Sequence, residues 1–93
     1  MPQFMSTHRA PGLLREQWAE NAAAVIASTH ARYIQAYANL ATGFIVTIHE
    51  AESREKLIEH FEEMGFPFDE IHEIQLSQSF AEMESMLRQM GRM

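Results

Sequence analysis

The sequence has no cysteine, which excludes disulfide staples, thiolate metal sites and cysteine nucleophiles. Its four glycines are scattered, so no Gly-rich loop is available to cradle a phosphate. Asp69 is its single aspartate, and no nucleophile elbow accompanies it, which leaves a Ser-His-Asp triad without support. Basic residues are few: seven Lys and Arg against thirteen acids give a formal charge of −6. With no basic stripe to release counterions from a phosphate backbone, nucleic acid is not an expected partner, nor is an anionic membrane. The longest apolar runs, Ala22 to Ala27 and Phe44 to Val46, are too short to span a bilayer. The opening Met-Pro-Gln-Phe-Met-Ser-Thr-His lacks a charged region followed by an apolar stretch, so the expected location is cytoplasmic.

What is present fits one small domain. Ninety-three residues bury only about two-thirds of their unfolded surface, and chains of this size often gain stability from a metal or from association. Nine of the thirteen acids fall within residues 50–73, where only Arg54 and Lys56 offset them, and they read as a solvated helix face.

Residues 3–8 form a first strand, broken by Pro11-Gly12. From Leu13 to Ser28 the spacing of Leu14, Trp18, Ala22, Val25 and Ile26 predicts a helix with one apolar face. The period drops to two over Arg32 to Ala38, turns at Asn39 to Gly43, and resumes in Phe44 to His49 as an antiparallel hairpin. Ser53 caps a second helix carrying Leu57, Phe61 and Met64, which Gly65 and Pro67 end. Asp69 to Leu76 reads as a fourth strand. Ser79 and Glu82 then form a capping box opening a helix with Phe80, Met83, Met86, Leu87 and Met90.

The order β-α-β-β-α-β predicts a ferredoxin-like α+β fold: a four-stranded antiparallel sheet, strand order 4-1-3-2, with two helices on one face. Residues 1–78 make the domain. Residues 79–93 add a helix that packs on the same domain or on a partner subunit. The open sheet face points to a homodimer of the dimeric α+β barrel type.

Phe4-Met5-Ser6-Thr7-His8-Arg9 with Gly12, then Ile34-Gln35-Ala36-Tyr37, Glu50-Ala51-Glu52-Ser53, Gly65 and Asp69 to Ile74 together carry a resemblance over most of residues 3–76. The chain resembles a family of small, mostly uncharacterised ferredoxin-like dimeric proteins opening Phe-Met-Asp-x-His, which includes a bacterial nickel-binding protein. Ser6 stands where that family favours Asp, Phe66 where a His is common, and Phe61 where some members carry His. Of the recurrent metal-capable positions, His8 is kept.

Among the five histidines, His8, His49 and His72 are the candidate metal ligands, for nickel or zinc. Strands 1 and 3 are expected to run parallel side by side, which brings all three toward one edge of the sheet. Pleat parity places His8 and His49 on the open face and His72, in phase with Ile74 and Leu76, on the helix-covered face. Ser6, Tyr33 and Tyr37 are expected to line an open-face ligand pocket. A second reading makes the protein a cofactor-free monooxygenase or isomerase, with His8 as general base and Tyr33 or Tyr37 orienting substrate. A third makes it a structural or regulatory dimer, with the tyrosines as interface aromatics. Trp18 reads as core.

Overall fold

The computed structural model describes residues 1–92; Met93, the end of the expected C-terminal segment, lies outside them. The elements follow the predicted order: β1 (Gln3–Arg9), α1 (Arg15–Ala27), β2 (Arg32–Asn39), β3 (Phe44–Glu50), α2 (Arg54–Met64), β4 (Glu70–Glu73) and α3 (Phe80–Gln89). The sheet order is β2-β3-β1-β4, and every neighbouring pair is antiparallel. This is the ferredoxin-like α+β fold.

β1 and β3 therefore run in opposite directions, contrary to the expectation from sequence. The crossover through α1 leaves β2 parallel to β1, and the hairpin that follows reverses β3. His8, near the end of β1, sits opposite Ile45 at the start of β3, whereas His49 sits opposite Phe4. The two histidines lie toward opposite ends of the strand pair.

Local signals set the helix ends. The Ser53 hydroxyl accepts from the Lys56 amide at 3.2 Å and starts α2. Gly65, with φ of 71°, ends it in the left-handed conformation. Both bonds of the Ser79–Glu82 capping box form at the start of α3. α2 is the helix that closes the core, burying Leu57, His60 and Phe61. Phe4, Ala31, Ala51, Leu57, Phe61 and Ile71 form one buried cluster, with Ile58, Phe66 and Phe68 packed around it. Each large apolar side chain enclosed there contributes roughly 1.5–3 kcal/mol.

The other two helices are held loosely. α1 has no fully buried residue; Trp18, Ala22 and Val25, one turn apart along its inner face, are half-buried. α3 buries nothing, and Phe80 and Met90 lie in solvent. The radius of gyration is 15.8 Å, against about 12 Å for a compact chain of this length. No helix among the described residues is long and apolar enough to cross a membrane.

Candidate functional site

Strand pleating sorts the sheet into two faces. Phe4, Ser6 and His8 of β1 share a face with Ile45, Thr47 and His49 of β3, since antiparallel partners point the same way. That face lies under α2, because the Phe61 ring meets His8 edge-on at 4.8 Å and His49 at 5.5 Å. The helix-covered face, not the open one, thus holds His8, His49 and Ser6. The open face carries Met5, Tyr37, Phe44, Val46 and Ile48. Packing against α2 decided between two strand faces that are both partly apolar.

Tyr33 and Tyr37 do not share a face. The register of β2 on β3 slips by one residue between Tyr33, opposite His49, and Gln35, opposite Ile48. This bulge at Ile34 inverts the parity beyond it. Tyr33 stands on the inner face with its ring 5.8 Å from His49, whereas Tyr37 is exposed on the outer one. His72 is also outside. β4 turns Ile71 inward opposite Ser6, so His72 projects outward opposite Met5, 3.1 Å from Glu70. It is separated by the sheet from His8 and His49.

Between the inner face, α1 and α2 lies a cavity of about 260 Å³. Trp18, Val25, Ile45 and Phe61 give it an apolar wall, and His8, Thr47, His49 and His60 supply its polar groups. His8 is satisfied at both ring nitrogens. Nδ1 donates to the Pro67 carbonyl at 2.9 Å, which leaves Nε2 to accept from the Thr47 hydroxyl at 3.0 Å. Burial lowers its pKa, opposed by the Pro67 carbonyl and the charge of Asp69.

His49 is the opposite case. It is 1% exposed, and neither ring nitrogen has a partner. Its pKa is pushed down to about 4, first by burial and then by His60 and His8. His60, fully enclosed on α2, lies 5.0 Å from His49 between ring centres. Its Nδ1 is hydrogen-bonded to the Ser28 hydroxyl at 2.8 Å, and its Nε2 is unpaired. Burial lowers its pKa too; Glu63 opposes the shift and His30 adds to it. At neutral pH the cavity wall therefore holds uncharged imidazoles, and three of their ring nitrogens, two on His49 and one on His60, are enclosed without a hydrogen-bond partner.

His60 was missed from sequence. Its signal was there: it stands three residues after Leu57 and four before Met64, on the inward stripe of α2. Among the described residues, no three His, Asp or Glu side chains are grouped as metal ligands.

The family model for the nickel responsive protein SCO4226-like family matches residues 4–74. The chain belongs to this family. A solved relative is SCO4226 from Streptomyces coelicolor A3(2), 33% identical, with a TM-score of 0.72 over 81% of this chain and 98% of that one. A comparison with curated proteins finds no match. α3 lies beyond the family match, as an addition to the common domain.

The family description raises a divalent metal, and the cavity residues fit one in part. Neutral imidazole suits nickel, copper and zinc. His49 offers either nitrogen, and His60 offers Nε2 when its Nδ1–H donates to Ser28, the outer bond that commonly orients a ligating histidine.

Proposed function

We propose that this protein binds a divalent first-row metal ion, nickel foremost, in the cavity between helices and sheet, with His49 and His60 as its imidazole ligands. One observation carries the reading: buried ring nitrogens of both residues have no partner. An unsatisfied buried polar group costs about 1–3 kcal/mol, so the chain carries this arrangement at the expense of its stability. A bound ion would satisfy those nitrogens. His8 takes a supporting role, since a metal at its Nε2 would have to displace Thr47.

The test is calorimetry with nickel, zinc and copper on the wild type and on His49→Phe, His60→Phe and His72→Ala. The wild type and His72→Ala should bind alike, and either cavity variant should lose binding. Affinity weaker than about 100 μM, near −5.5 kcal/mol, for all three metals in the wild type would end the metal reading.

The same proposal includes a second copy of the chain over the outer sheet face. Tyr37, Phe44 and Met5 are exposed there, and Val46 and Ile48 are half-buried. An apolar surface of this kind on a short domain favours association.

A further inference from the structure

We propose that the cavity beneath α1 takes up a small uncharged aromatic molecule, of one or two fused rings, that carries a single hydroxyl or N–H and donates it to the Thr47 oxygen. The enclosed nitrogens of His49 and His60 take no part in this site, and it needs no metal.

The donor on the ligand follows from the hydrogen bonds around His8. A carbonyl oxygen only accepts, so the Pro67 bond at 2.9 Å fixes the His8 proton on Nδ1. Nε2 is then an acceptor, and the Thr47 hydroxyl, 3.0 Å away, turns its own proton toward it. Thr47 is half-buried and lines the cavity, and the capacity left to its oxygen is to accept. In apolar surroundings such a group is matched by a ligand that donates; one that only accepts leaves both groups unpaired.

Charge, shape and volume set the rest of the ligand. Among the described residues that line the cavity, Arg9 is the one permanent charge, and its side chain is three-quarters exposed, 3.6 Å from Asp69. Burial lowers the His8 pKa, so that ring is uncharged at neutral pH as well. An ionic ligand would lose its hydration here and gain no counter-charge. Trp18, Phe61 and Phe66 give the wall aromatic surface, against which another ring gains more than its buried area alone provides. The cavity measures about 260 Å³, and a dry cavity of about 150 Å³ holds benzene, so a fused bicycle fits. Ala22, the small residue on the inner face of α1, keeps the chain from filling that space itself. Left empty, the space deprives its wall atoms of contacts and is costly in proportion to its volume.

The experiment is calorimetry on the full chain, with a metal chelator present throughout, using indole, benzofuran and indole-2-carboxylate as probes. Indole and benzofuran are bicycles of one shape in which an N–H is exchanged for an oxygen; the third probe keeps the N–H and adds a charge. Indole should bind with a Kd of about 100 μM or lower, benzofuran at least about fivefold more weakly, and indole-2-carboxylate not measurably. Thr47→Val should bring indole to the affinity of benzofuran, whereas Thr47→Ser, which keeps the oxygen, should retain the preference. Ala22→Phe, which fills the cavity from α1, should abolish binding of both neutral probes; Val25→Trp serves if that variant does not fold.

Benzofuran binding as tightly as indole, or Thr47→Val keeping the full preference for indole, would overturn Thr47 as the anchor and the proposal with it. Indole-2-carboxylate binding as tightly as indole would overturn the uncharged ligand. Binding of none of the probes would overturn the site, and with no free metal present that result would leave the metal proposal to its own titration.

Discussion

Acidification should destabilise this protein through His49 in particular. The ring is 1% exposed, lacks hydrogen-bond partners, and faces His60 and His8 across the cavity, so adding a proton to it is unfavourable. In the unfolded chain its pKa returns to about 6.5, whereas in the folded protein it lies at about 4. Between those values the unfolded state binds more protons than the folded one, so stability rises with pH. The contribution is complete above pH 6.5 and is lost as pH falls toward 4. At about 1.4 kcal/mol per unit the whole interval amounts to about 3 kcal/mol, and roughly 2 kcal/mol of it falls between pH 7 and pH 4.5. Burial shifts His8 and His60 in the same direction and reinforces the effect. Urea unfolding of wild type and His49→Phe at both pH values provides the assay. Carboxylates titrate in both proteins, so the difference of differences isolates the ring. His49→Phe should lose about 2 kcal/mol less than wild type on acidification. Equal losses in the two proteins would show that His49 takes up its proton as readily folded as unfolded, and the reasoning would fail.

Gly43 has φ of 78°, and a Cβ built there would stand 2.5 Å from the Ala10 carbonyl carbon and the Pro11 nitrogen. Gly43→Ala should therefore cost about 3 kcal/mol and lower the melting temperature by roughly 10 °C or more. Gly65→Ala, equally left-handed but with nothing within 4 Å of its Cβ, should cost about 1 kcal/mol; similar costs at the two sites would refute the clash. Removing residues 79–93 should leave the melting temperature of the domain within about 2 °C, because α3 buries none of its residues there. If that truncation instead lowers the mass seen in sedimentation from a dimer to a single chain, α3 belongs to the subunit contact; a large fall in melting temperature without a change of mass would mean that it packs on its own domain.

The fold was legible because its signals are local. Ser53, Gly65 and the Ser79–Glu82 pair each fix a helix end through bonds within one turn, and the helix ends follow them closely. The site was less legible, for three physical reasons. Pleating divides β3 into Phe44, Val46 and Ile48 on one side and Ile45, Thr47 and His49 on the other, but alternation alone does not say which set meets a helix. Hydrophobicity favours the first set; the structure buries the second. The bulge at Ile34 then separates Tyr33 from Tyr37, and one inserted residue leaves no mark in a mixed strand. Finally, strand direction follows from topology and not from composition, so assigning β1 and β3 a common direction drew together two histidines that lie toward opposite ends of the pair.

The distribution of polarity across the sheet departs at several positions from what stability alone would favour. Under the helices the chain encloses Ser6, His8 and His49 beside Phe4, Ile45 and Ile71; facing outward it leaves Met5, Tyr37, Phe44, Val46 and Ile48 beside Thr7 and Arg9. Each departure carries a cost: orphaned polar atoms inside at about 1–3 kcal/mol apiece, and apolar area left in water outside at roughly 25 cal/mol per Å². Places where local stability rules are broken tend to be functional sites. The inner imidazoles and the outer apolar face are two such places, opposite each other through a single sheet. A ligand in the cavity and a second subunit on the outer face would each satisfy the surface that faces it. The His49–Tyr33 contact lies where these two demands come closest, because the bulge that turns Tyr33 in against His49 also turns Tyr37 out onto the opposite face. One irregularity in β2 thereby serves both faces.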